Sequence, residues 1–255
     1  MAFSIGNEEL SIEVDIDQGA RLSSVNFRGM ETVVPFRGEL LTWGWYPMAP
    51  WAGRVRDGVM KDRFGNKFQL PTNLTPPHAI HGFGLTGSWY EIGVGIFAID
   101  FPSPYEGARA EQRFEVLDNA LRWSIEYEPG DCELPFWLGF HPWFPRELSR
   151  GNSVEIDFHA GKMFERGRDY LPTGQLVAPT PGPWDDAFTE VRGTPTVYWE
   201  DALQIQIESD APYWVVYDQD SDGVCVEPQT APPDAANLGI QGDNYLEALF
   251  IFEEI

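Results

Sequence analysis

The chain has 255 residues, with 17 Lys and Arg against 40 Asp and Glu, a formal charge of −23. Such an excess repels phosphate backbones and anionic lipid headgroups, which excludes nucleic-acid and membrane-surface partners. Hydrophobic residues make up 43% of the chain, ten Trp and seventeen Phe among them, and that apolar mass predicts a large packed core rather than an acidic disordered chain.

The N-terminal run Met1-Ala2-Phe3-Ser4-Ile5 has no basic start and no apolar stretch of signal-peptide length. Nowhere do the roughly 18 successive apolar residues of a membrane span occur. A soluble, cytoplasmic protein is expected. Leu10, Ile12, Val14 and Ile16 then alternate with Ser11, Glu13 and Asp15, and the same period of two returns at Leu121, Trp123, Ile125 and Tyr127. Such alternation marks half-buried strands. Val154, Ile156 and Phe158 repeat it, as do Leu203, Ile205 and Ile207 among Gln204, Gln206 and Glu208. The closing run from Leu246 to Phe252 fits a strand buried on both faces. Gly (25) and Pro (21) exceed their average combined usage of about 12% and punctuate these runs as turn signals. Short strands, frequent turns and no βαβ rhythm predict an all-β fold, an antiparallel sandwich or barrel, in one domain over residues 1–255.

Three patterns lead nowhere. Gly93-Val94-Gly95 imitates a dinucleotide-binding turn, but the run continues as Ile96-Phe97-Ala98-Ile99-Asp100, without the helix that motif requires, and reads as a Gly-bearing strand. Asp218, Asp220, Asp222 and Gly223 imitate a calcium loop, yet its twelfth position is Gln229 and strands flank it, so a hairpin turn is expected. His78 and His81 stand three apart with no Cys, third His or well-spaced acid to complete a zinc set. Cys132 and Cys225 are too few for a disulfide framework and read as reduced thiols.

Four segments carry reactive groups among Trp, Pro and Gly: residues 50–58, 78–84, 139–144 and 226–235. Singly, Arg54 reads as an ion-pair partner, and His81 and His141 as hydrogen-bonded loop histidines. Glu227 is harder to explain structurally. It follows the apolar Val224-Cys225-Val226 and precedes Pro228, a strand end where burying a carboxylate is costly. Together, an imidazole, a carboxylate, a guanidinium and amides are what a neutral polyhydroxylated ligand requires.

In order along the chain stand Pro50 with Arg54-Val55, the hairpin-like Phe64-Gly65-Asn66-Lys67-Phe68-Gln69-Leu70 with Asn73 beyond it, and Ile80-His81-Gly82. Gly139-Phe140-His141-Pro142-Trp143-Phe144, Leu171-Pro172-Thr173-Gly174 and Asp185-Asp186-Ala187-Phe188 follow. Glu227-Pro228-Gln229 with Pro233-Asp234-Ala235 and Asn237 close the series. This ordered set resembles the aldose 1-epimerases, or galactose mutarotases. The resemblance implies a large antiparallel β-sandwich of galactose-mutarotase type, a small-molecule sugar as partner, and no cofactor or metal. It implies that His141 is the general acid and Glu227 the general base. Arg54, His81 and Asp185 would hold sugar hydroxyls, with Gln229 and Trp143 as further contacts; Asp185 is preferred to Asp186 on its spacing to Phe188. Trp43, Trp45 and Trp89 join Trp143 as candidates to lie against the sugar ring. One position departs from the family, which commonly has Asn where this chain has Gly53, and a hydroxyl contact is lost with it.

Rival readings keep some of these residues. A glycoside hydrolase would pair Asp185 with Glu227 but leave His141 idle. A silent sugar-binding protein would need neither acid nor base. An epimerase for hexose 6-phosphates would need a cationic phosphate pocket, for which Arg54 and Arg56 are the available residues. The oligomeric state is not legible in the sequence.

Overall fold

The computed structural model describes residues 2–62 and 64–255. Among these residues seventeen strands form one curled antiparallel sheet, to which two two-stranded ladders are added. Among the described residues the α-helix is the four-residue turn Ala235–Leu238, and no helix is long and apolar enough to cross a membrane.

Alternation in the sequence becomes alternation of burial. Leu10, Ile12 and Val14 are fully buried in the strand Leu10–Asp15. Leu121, Trp123, Ile125 and Tyr127 are fully buried in Ala120–Glu128. Leu203, Ile205 and Ile207 do the same in Leu203–Glu208. Ile16 departs from the expected strand, because the chain turns there into a short 3-10 segment, Ile16–Gln18. The Asp15 carboxylate accepts the Asp17 N–H at 3.1 Å and Gly19 takes φ +81° to complete the turn.

The last strand, Tyr245–Glu254, also differs from expectation. Leu246, Ala248, Phe250 and Phe252 are buried, but Glu247 is exposed and Leu249 and Ile251 are only half-buried. It has neighbours on both edges, Ala120–Glu128 and Leu203–Glu208, while only one of its faces meets the core. An apolar run cannot by itself distinguish two neighbouring strands from two covered faces. Nor do the glycines at 93 and 95 lie within one strand; Tyr90–Gly93 and Ile96–Asp100 are the arms of a hairpin, with Val94 exposed at its tip and Gly95 at φ +70°.

Aromatic side chains fill the interior. Trp123 stacks on Phe140 with ring centroids 4.0 Å apart, and its Nε1 donates to Gln112 Oε1 at 3.1 Å. Trp45 is fully buried and donates to the Trp143 carbonyl, and Trp89 donates to the Gly84 carbonyl. Trp43 packs against Arg21 and Phe36. These three tryptophans are therefore core, and among the four candidates Trp143 faces the cavity described below. Both cysteines are free thiols.

Candidate active site

Three neighbouring strands set the centre of the site. Gly139–Pro145 pairs on one edge with Trp45–Met48, where His141 stands opposite Tyr46. On its other edge it pairs with Gly223–Gln229, with Gly139 opposite Gln229 and Trp143 opposite Cys225. Midway in that register, His141 comes opposite Glu227. Glu227 in turn faces Val215 of Tyr213–Tyr217, and that strand pairs Tyr217 with Asp185 at the start of Asp185–Trp199. Side chains at directly opposed positions share a sheet face, and so do those two residues along a strand. One row thus holds Tyr46, His141, Glu227 and Val215, and the next holds Trp143, Cys225, Tyr217 and Asp185.

Arg54 and His81 come from outside the large sheet. Arg54–Val55 pairs with Ala79–Ile80, with Arg54 opposite Ile80, and the next residues clasp each other: the His81 N–H donates to the Gly53 carbonyl at 3.0 Å, and the Gly53 N–H donates to His81 Nδ1 at 3.3 Å. With Nδ1 accepting, neutral His81 carries its proton on Nε2. His81 holds φ +56°, an uncommon conformation outside glycine, of the kind that the surroundings must enforce. Gly82 follows because a Cβ there would meet the Ala49 carbonyl oxygen at 2.1 Å.

Apart from Cys225, the side chains of these two rows, with Arg54 and His81, line a cavity of about 240 Å³ together with Leu41, Thr42, Thr75, Gln219 and Pro233. Its size is below the roughly 300–1,000 Å³ of sites for drug-sized ligands, which suits a single small ring. His141 Nε2 lies 3.3 Å from Glu227 Oε1, and Gln229 Nε2 donates to Glu227 Oε2 at 3.0 Å. Both members of the pair are buried. Burial, then the charges of Arg21 and Arg54, lowers His141 to about 3. Burial, then the Asp185 carboxylate, pushes Glu227 well above the usual carboxylate range, against the Gln229 hydrogen bond and Arg54. Both shifts favour the uncharged form of each residue, in which the pair holds a single proton. His81 is also held neutral, by burial and then by His141 and Arg54. His141 Nδ1 and Gln229 Oε1 are buried without a hydrogen-bond partner among the described residues, a deficit that a ligand hydroxyl can relieve.

Charged groups at the rim are matched. Arg54 Nη1 donates to Asp185 Oδ2 at 3.4 Å. Asp186 instead meets Arg166, at 3.3 Å, in a smaller adjoining recess. Arg56 pairs with Asp169 and lies 3.4 Å from Asp234. Asp234 is a brace, since its Oδ1 accepts from the Arg56 N–H at 3.0 Å and Asn237 Nδ2 at 2.7 Å. His78 serves likewise, its Nδ1 accepting the Asp57 N–H at 3.0 Å. At the 218–222 turn the carboxylates disperse: Asp218 accepts the Trp184 N–H, and Asp222 pairs with Arg37.

Of the residues singled out in the sequence, His141, Glu227, Arg54, His81, Asp185, Gln229 and Trp143 all line the cavity. Tyr46, Tyr217, Gln219, Thr42 and Thr75 line it too and were not anticipated. Tyr46 sits in an aromatic run, Trp43-Gly44-Trp45-Tyr46, whose composition reads as core, and only its pairing with His141 brings it to the cavity.

The family model described as aldose 1-epimerase matches residues 1–246. Two Escherichia coli (strain K12) proteins, the uncharacterized proteins YihR and YphB, are each 25% identical to this chain. The YihR alignment covers 87% of this chain and 82% of YihR, and the YphB alignment 78% and 77%. Among solved structures, an E. coli K12 protein described as a candidate aldose 1-epimerase superposes with a TM-score of 0.83 at 19% identity, over 100% of this chain and 99% of that one. A galactose mutarotase-like protein from Clostridium acetobutylicum gives 0.78 at 16% identity, over 96% and 93%. At these identities the structural likeness establishes the fold.

Proposed function

The chain belongs to the aldose 1-epimerase family, and on that premise we propose that it interconverts the α and β anomers of free aldoses. The observation that carries this reading is the buried His141–Glu227 contact, 3.3 Å long, at a cavity of single-sugar size.

Anomer exchange opens a hemiacetal and recloses it. In the reactive form of the pair the shared proton sits on His141 and Glu227 is ionised. Glu227 takes the proton of the C1 hydroxyl while His141 protonates the ring oxygen. The C1–ring oxygen bond breaks with its electron pair going to that oxygen, leaving an aldehyde at C1. Rotation about C1–C2 presents the other carbonyl face. The reverse transfers then close the ring, with His141 recovering the proton from the attacking hydroxyl and Glu227 returning one to the new C1 oxygen. A positioned acid or base of this kind contributes roughly 10²–10⁴-fold each. Arg54 and His81 Nε2–H donate to sugar oxygens, Asp185 and Gln229 complete the hydroxyl contacts, and Trp143 offers an apolar face to the ring.

Phosphorylated sugars fit less well. Arg54, Arg56 and Arg166 already face Asp185, Asp169 and Asp186, so among the described residues these rim guanidinium groups each have a carboxylate partner. Polarimetry of freshly dissolved α-glucose and α-galactose tests the proposal, with hexose 6-phosphates run beside them. Faster equilibration of the free sugars is expected. Unchanged rates across free hexoses and pentoses with folded protein would refute it, and a response confined to the phosphates would move the reading to a hexose-6-phosphate epimerase.

A further inference from the structure

Cys225 has no part in the chemistry above, yet it shares the cavity-facing side of its strand with Glu227, two residues on, and stands opposite Trp143 and Tyr217. One donor atom from each of His141, Cys225 and Glu227 lies within 4.8 Å of the others, and all three residues are buried. We propose that these three side chains form a binding site for a zinc-class divalent cation, and that the bound ion blocks the site against sugar.

The donor set is the first argument. Imidazole, thiolate and carboxylate are the three side-chain types that bind zinc, and three protein donors with one open position is the arrangement of zinc sites that also hold an exchangeable ligand. The second is charge. A thiolate and a carboxylate together cancel the two positive charges of the ion, so the buried complex carries no net charge and avoids the cost of an isolated buried ion. Distance is the third. Bonds of about 2.0–2.3 Å place tetrahedral donors roughly 3.3–3.8 Å apart. His141 Nε2 and Glu227 Oε1 already stand at 3.3 Å, and the Cys225 sulfur, within 4.8 Å of both, lies at most about 1 Å beyond that range.

Binding releases the thiol proton and any proton shared by the pair to solvent, and the ion enters past His141 and Glu227, which line the cavity where Cys225 does not. Softer donors favour zinc or cobalt over magnesium or calcium, which take oxygen ligands. With the ion seated, the His141 lone pair and the Glu227 carboxylate are engaged and the open position points to the cavity. The inhibition rests on the acid–base reading proposed above; the binding does not.

The test uses chelator-treated full-length protein with Zn²⁺ in calorimetry and Co²⁺ in absorption spectroscopy. One ion per chain is expected, with a thiolate-to-cobalt charge-transfer band. Cys225→Ser and Cys225→Ala should both lose the band and weaken Zn²⁺ binding by at least about 10-fold, since even changes outside a metal's immediate ligands cost 10–100-fold. Wild-type anomer exchange should fall on adding Zn²⁺ and recover with chelator, whereas Cys225→Ser should keep its metal-free rate and resist inhibition. The site is refuted if wild-type protein binds no ion stoichiometrically, if the thiolate band is missing, or if the folded Cys225 variants bind Zn²⁺ as tightly as wild type. If the protein proves inactive on sugars, the binding and spectroscopic arms still decide the site.

Discussion

The ring of Tyr46 stacks on the ring of His141, with centroids 4.6 Å apart and planes 29° from parallel. The Arg21 guanidinium lies 4.9 Å from that tyrosine ring and 4.3 Å from Trp43. Arg21 is fully buried, held by the carbonyls of Gln18, Leu40 and Trp43 rather than by a carboxylate. A buried cation with no hydrogen-bonded carboxylate among the described residues therefore stands behind the proposed acid and opposes a second proton on the pair.

Removing that cation should move the acid limb of activity. In the proposed mechanism the one-proton form of the pair is the active one, so activity should be lost as falling pH adds the second proton. Because burial and then the Arg21 charge hold His141 below its ordinary range, Arg21→Met should remove the second of these and raise the pH at which that second proton binds. The acid limb of kcat/KM, measured with chelator present, shifts to higher pH. Thermal denaturation run in parallel separates this effect from loss of fold, and an unmoved limb in folded protein would show that the buried cation does not act on His141.

Glu227→Gln and His141→Asn should each lower turnover by about 100-fold or more while leaving the circular dichroism spectrum unchanged. Asp234→Asn provides the contrast. Its carboxylate braces Arg56 and Asn237, so the change should cost roughly 1–3 kcal/mol of stability, as removal of a buried hydrogen-bonding partner does. Its turnover in folded protein should fall far less than that of the other two. Near-normal turnover in Glu227→Gln or His141→Asn would remove the corresponding role.

Gly53, expected from the resemblance to be Asn, has little room for a side chain. At φ +67°, a Cβ on residue 53 would meet Pro233 Cγ at 2.7 Å and Cβ at 2.8 Å. Asn tolerates this backbone conformation better than most residues, so Pro233 is the obstacle. Gly53→Asn should therefore disturb the clasp between Gly53 and His81, lowering kcat/KM and raising KM. Adding Pro233→Ala should restore part of the loss. Kinetics of the single and double variants check this, and strictly additive losses would rule the clash out.

Beneath the site, Trp123 supports the His141 strand through its stack on Phe140. Trp123→Ala should cost about 3–5 kcal/mol in urea denaturation, the usual scale for a buried aromatic truncated to Ala. Trp123→Phe keeps most of the apolar contact but leaves Gln112 Oε1 without its donor, a loss of about 1–3 kcal/mol. Stability of Trp123→Phe equal to wild type would show that the indole N–H contributes nothing.

Strand identity was legible in the sequence because the pleat repeats every two residues. Leu10 to Val14, Leu121 to Tyr127 and Leu203 to Ile207 alternate in the chain and are buried as they alternate. The ordered segments around Arg54, His81, His141 and Glu227 were legible too, because Trp, Pro and Gly set polar groups where ordinary strands do not place them. Tertiary structure decided the rest. A period of two says which residues share a face of one strand, but not which strand lies beside it or whether that face is covered by core or by a cavity. Hence Trp45 and Trp89 became core while Trp143 faced the cavity, and the closing apolar run acquired one half-covered face. Tyr46 and Cys225 gained their neighbours only through long-range pairing, Tyr46 with His141 and Cys225 with Trp143. Such contacts are settled by cross-strand register between residues some 80 to 95 positions apart, which no local pattern encodes.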